Sequence, residues 1–195
     1  MFRKLNRAIL LVVTCMIIAV SANAATNPPK KKQAPAKQLS ELDQLRMNMR
    51  SKVDQVEGIK WIHDKATSQY VQKSNCYIYL GQRDGSTWGR FVLGFKAERW
   101  VFAKKIIMNI DGERISLIDV SYSDFARDNS SGSVWETADL PLSSYRAIAE
   151  QIAKSKKTII RFEGDRRHFD ITVSQKQKDA MKRVLRLHDL FNKRS

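Results

Sequence analysis

Three histidines supply all the imidazole of this chain, and His63 and His168 each have a carboxylate placed to act with the ring. His63 is followed directly by Asp64. His168 and Asp170 are two residues apart, a spacing that puts both on one face of a strand. Such a pair can orient a ring for general-base work or contribute to a metal site. An envelope hydrolase using His168 and Asp170 is therefore one reading. Neither pair has the ligand spacing of a zinc site, and Cys76 has no nearby cysteine to complete one. His188 falls on the apolar side of a helical pattern and reads as a residue at the edge of the core. No phosphate-binding glycine loop, Gly-x-Ser-x-Gly elbow or His-Glu-x-x-His pair is present. No catalytic, cofactor-binding or metal residue is assigned, and no cofactor is expected.

The cations are better grouped. Lys and Arg number 35 against 20 Asp and Glu, a formal net charge of +15. So basic a chain invites a polyanion, whether polysaccharide, lipid headgroup or nucleic acid, although charge also serves solubility alone. Arg161, Arg166 and Arg167 belong to one expected hairpin. Lys182, Arg183 and Arg186 share the expected outer face of the last helix, with Lys178, Asp189 and Lys193. If hairpin and helix are neighbours, the six form one candidate anion-binding surface. Trp61, Trp88, Trp100 and Trp135 could each stack on a sugar ring or a base, or anchor the core.

The elements that position these residues are legible in pattern. Runs 158–163 and 169–173 are rich in β-formers and flank Gly164-Asp165, the mark of a hairpin. Ser174 and Gln177 make a capping box, after which Met181, Val184, Leu185, His188 and Phe191 follow helical spacing. Ala180 and Leu187 lie at the edge of that stripe. Earlier runs, 76–80, 89–95, 99–102, 105–110, 114–120 and 134–137, read as strands. Asp111-Gly112 joins two of them, the strongest short-range hairpin signal. Residues 124–132 read as a polar loop, and 142–154 as a helix whose end carries Lys154, Lys156 and Lys157.

The first 24 residues have the three parts of a secretory signal: basic Arg3, Lys4 and Arg7, an apolar run, and Ala22-Asn23-Ala24 for cleavage. Cys15 leaves with it, so no internal disulfide is expected, and no membrane span remains after cleavage. Residues 25–39 hold three of the four prolines and Lys30-Lys31-Lys32, and read as a linker. Residues 40–57, with Leu42, Leu45, Met49, Val53 and Val56 at three- and four-residue steps, read as an amphipathic helix. Residues 58–195 are then the domain proper. It is α+β, with an antiparallel, strand-dominated sheet curled into a sandwich or half-barrel and packed helices, one of them C-terminal.

Several short motifs stand in a recognisable order: Glu57-Gly58-Ile59-Lys60-Trp61, Tyr77-Ile78-Tyr79-Leu80-Gly81, Trp88-Gly89-Arg90-Phe91, Arg127-Asp128-Asn129, Val134-Trp135-Glu136 and the run 156–164. In that order the chain resembles an uncharacterised family of small exported bacterial and phage-associated domains. The resemblance spans roughly residues 57–190 and implies a mixed, strand-dominated domain with no assigned activity. The last hairpin departs from it, since Arg166-Arg167-His168 is more basic than the acidic or Tyr-rich turn that the family pattern implies. Composition and resemblance together favour an exported, non-catalytic envelope binding module, with a protein or an anionic polymer as partner.

Overall fold

A computed structural model describes residues 39–68 and 73–193. The expected signal segment, and all of the linker but Leu39, lie outside the described residues.

The chain opens on α1, Glu41–Met47, capped by the Ser40 hydroxyl, which accepts from the Asp43 amide at 3.2 Å. The helix expected over 40–57 stops there. Met49–Asp54 is strand β1, which pairs antiparallel with β2, Ile59–Asp64. The division is local chemistry. The Asp54 carboxylate accepts from the amides of Val56 and Glu57, and Gly58 takes φ +67°, so the chain turns back on itself. Val53 and Val56, counted in the helical stripe, are left in solvent.

Four more strands join these two. β3 (Asn75–Arg83), β4 (Ser86–Ala97) and β8 (Ser133–Pro141), with edge strand β7 (Phe125–Ser130), complete a six-stranded antiparallel sheet ordered β1-β2-β3-β4-β8-β7. The polar segment expected to be a loop is thus mostly strand β7. Its polarity reflects an edge position, where ladder bonds to one neighbour suffice and side chains meet water. A second sheet, ordered β10-β9-β5-β6, holds β5 (Lys105–Ile110), β6 (Glu113–Leu117), β9 (Thr158–Glu163) and β10 (His168–Thr172). Asp111 and Gly112 both take positive φ in the β5–β6 turn, as the Asp-Gly signal requires. Run 114–120 ends as strand at Leu117, and 99–102 is not a strand at all. The amides of that last segment are engaged elsewhere, as described below.

The core lies between the sheets and two helices. Alternation on β3 sends Cys76, Ile78 and Leu80 inward, where α2 (Leu142–Lys154) and α3 (Gln175–Asn192) cover the large sheet. Phe162 from the small sheet meets Phe95 from the large one at 4.8 Å between ring centroids. Both are fully buried. The capping box that starts α3 is present in both directions: the Ser174 amide donates to Gln177 and the Gln177 amide to Ser174. Met181, Val184 and Leu185 are buried as the stripe requires, and so are Ala180 and Leu187.

Lys178 corrects the helical wheel. Expected outside, it is 2% exposed, and its Nζ donates to the carbonyls of Ser155 and Lys156 at 3.2 and 2.9 Å. Those carbonyls close the C-terminal end of α2, where backbone acceptors are unsatisfied and a cation is favoured. The lysine stem fills the interface while its head finishes the neighbouring helix.

Candidate anion-binding site

The residues between β4 and β5 form a strap held from below by one side chain. Glu136, fully buried on β8, accepts from the amides of Val101 and Phe102 through Oε1 and of Ala103 through Oε2, each at 2.8 Å. Arg127 on β7 stands opposite in register and donates to Oε2 at 3.2 Å. Its other nitrogens donate to the carbonyls of Tyr122, Phe125 and Ala103. Three consecutive amides turned toward one carboxylate cannot join a ladder, so this segment is a strap. The β9–β10 turn presses on it from the other side. Any Cβ on Gly164 would collide with the Val101 carbonyl, so only glycine permits this approach.

The strap presents two aromatic rings. Trp100 and Phe102 stack with centroids 5.7 Å apart and planes 18° from parallel. Phe102 takes φ +55°, a conformation bulky residues rarely adopt, and its side chain is 49% exposed. Strain of this kind persists only where surrounding contacts impose it, as the Glu136 bonds do here. Around the rings lies a groove in two adjoining lobes of about 760 and 940 Å³. Arg99, Arg166 and Arg167 line both lobes, with Glu98 beside them. Asn129 and Asp165 border the first lobe and His168 the second. Among the described residues, none of the three arginines is ion-paired. Asp165 bonds to Lys104 at 2.5 Å.

The six expected cations are divided by the fold. Arg161 is held by both oxygens of Asp170 at 2.8 Å. Arg183 forms a two-pronged pair with Asp64, whose side chain is 1% exposed. Arg186 does the same with Glu41, and Lys182 reaches Asp179 at 3.3 Å. The outer face of α3 belongs to the layer over the large sheet, whereas the basic hairpin belongs to the small sheet. Of the set, Arg166 and Arg167 are without an ion pair among the described residues, and Arg99 joins them. Pattern reading placed Arg99 in a strand and so missed it. The signal that would have found the strap is Glu136, a carboxylate in the middle of an apolar run that must meet donors from elsewhere.

The histidines find separate settings. His168 and Asp170 are both exposed on β10, and the Arg161 guanidinium occupies both Asp170 oxygens and holds its carboxyl below the usual range. His63 and Asp64 point to opposite faces of β2, so Asp64 lies under α3 and His63 on the outer face of the large sheet. There His63 stacks on Tyr79 at 4.8 Å, and Trp61 and Trp88 meet over Gly81, which has no side chain to separate them. Burial pushes the His63 imidazole down to about 4, with Arg50 adding to the effect. His188 sits half-buried beside Arg146, its Nδ1 3.0 Å from the guanidinium, and burial lowers its pKa too. Trp135 is buried too, but on the opposite face of β8 from the core residues Ala138 and Leu140, in a hollow with Tyr77, Val92 and Thr137.

No group of three or more His, Cys, Asp and Glu able to hold a metal ion occurs among the described residues. No helix among them is long and apolar enough to cross a membrane. Compared with family models, with curated proteins and with solved structures, the chain finds no match.

Proposed function

We propose that this protein is an exported, non-catalytic binding module of the cell envelope, and that its groove takes an anionic polymer. One observation carries the reading. Most of the basic set is spent on internal ion pairs, while Arg99, Arg166 and Arg167 converge unpaired beside an exposed aromatic stack. Unpaired guanidiniums on a braced strap and turn can meet phosphate, sulfate or carboxylate with two parallel bonds and little loss of freedom. A hydrolase built on His168 and Asp170 lacks a free carboxylate, because Arg161 takes both oxygens. Export rests on the leader, and the intact mass of the envelope-fraction protein should begin at Ala25.

Affinity for dextran sulfate, measured at several salt concentrations, tests the groove. Arg166→Glu with Arg167→Glu should weaken binding far more than Lys30→Glu with Lys31→Glu, although both remove the same charge. Equal losses would mean that the attraction is generic and would favour a protein partner.

A further inference from the structure

We infer that the polymer taken by the groove is a single strand of nucleic acid, an inference that rests on the anionic-polymer reading above. The Trp100–Phe102 stack is the first ground. Phe102 contributes to no ladder and is half exposed, yet its backbone is fixed at positive φ by a buried carboxylate. The result is a half-exposed ring, stacked on Trp100 and carried on a braced backbone, in the lining of a basic groove. Unpaired bases stack on such rings whatever their identity. In a duplex the base faces are already covered by neighbouring base pairs.

The second ground is the spacing of charge. Three of the cations that line the groove without an ion pair among the described residues are arginines, whose planar fork matches a phosphate, and Lys96 borders the second lobe with them. Between them the lining is neither uniformly basic nor apolar: Glu98 and Asn129 border the same lobe as the aromatic pair. A polysaccharide carrying sulfate or carboxylate on every ring would bring like charge against Glu98. A nucleotide strand separates its phosphates with neutral rings. The amino and carbonyl edges of those rings suit a carboxylate acceptor and a side-chain amide.

The test uses the full chain and three probes: labelled dodecathymidylate, the same strand annealed to its complement, and dextran sulfate. The single strand should bind more tightly than the duplex and quench tryptophan fluorescence. Phe102→Ala should weaken its binding roughly five- to 150-fold, while leaving dextran sulfate affinity within about twofold. Phe102→Leu keeps the bulk without the π-face, and should show the same selective loss if the alanine variant misfolds. If both probes lose affinity equally in the Phe102 variants, or the duplex binds as well as the single strand, the nucleic-acid inference fails. Dextran sulfate binding that depends on Arg166 and Arg167 would in that case leave the anionic-polymer reading standing. If the Arg166→Glu, Arg167→Glu variant binds every probe like wild type, both fall.

Discussion

Arg127 and Glu136 face each other across β7 and β8 with Nε 3.2 Å from Oε2, and together they fasten the strap that carries the groove. Each also bonds to backbone outside its own strand pair. Glu136→Ala would leave three amides and a guanidinium without their acceptor in a dry site. Breaking a buried pair from one side costs about 3–5 kcal/mol, so the variant should unfold at a much lower urea concentration. Arg127→Lys should also be destabilised, since one ammonium cannot serve three carbonyls in a planar fork. A midpoint within error of wild type for Glu136→Ala would show that the strap does not depend on this carboxylate.

Lys178 makes a different demand. Its stem fills space between α2 and α3, and its head satisfies two carbonyls. Lys178→Ala loses both contributions and should cost about 2–4 kcal/mol. Lys178→Met restores most of the volume and should recover about half of that loss. Equal midpoints for the two variants would assign the whole effect to the lost hydrogen bonds.

Leu185 and Arg186 are adjacent on α3 but live in different media. Leu185 is buried in the core, and Leu185→Asp should cost several kcal/mol, enough to unfold a marginal domain. Arg186 is exposed and paired with Glu41. Arg186→Asp should shift the melting temperature only slightly. Similar melting temperatures for the two would mean the faces of this helix are wrongly placed.

What sequence reading found and what it missed divide by range. α2, the 158–163 strand, the Asp111-Gly112 turn and the Ser174–Gln177 box were all legible, because their causes lie within a few residues. The failures are long-range. Met49 and Val53 fit a helical stripe until Asp54 turns the chain and β2 offers a ladder. Lys178 looks solvated until α2 brings unsatisfied carbonyls to it. Arg99 and Phe102 look like strand residues until Glu136, more than thirty positions on, claims the amides of Val101, Phe102 and Ala103. The basic residues were visible as a group, but neither their pairing nor their separation was. Asp64, Glu41 and Asp170 reach three of the arginines across element boundaries or along a register that charge counting does not show.

His63 should give the fold a pH dependence. Its folded pKa, about 4, lies below the ordinary value of 6.5, owing first to burial and then to Arg50, with Asp139 opposing. The unfolded chain therefore binds the proton more readily. Stability from this group is fully present above pH 6.5, is lost as pH falls toward 4, and changes no further below that. His63→Phe should flatten the melting temperature over that window. An unchanged slope would show that the imidazole is not buried against Tyr79.

The central claim is that unpaired arginines, and not net charge, make the binding surface. Affinity of the full chain for a polyanion should fall steeply in Arg166→Glu with Arg167→Glu. It should change little in Lys182→Glu with Arg186→Glu, where the same charge is reversed on side chains already paired. A titration of both double variants at one low salt concentration reads this directly. Equal weakening in the two would contradict the account.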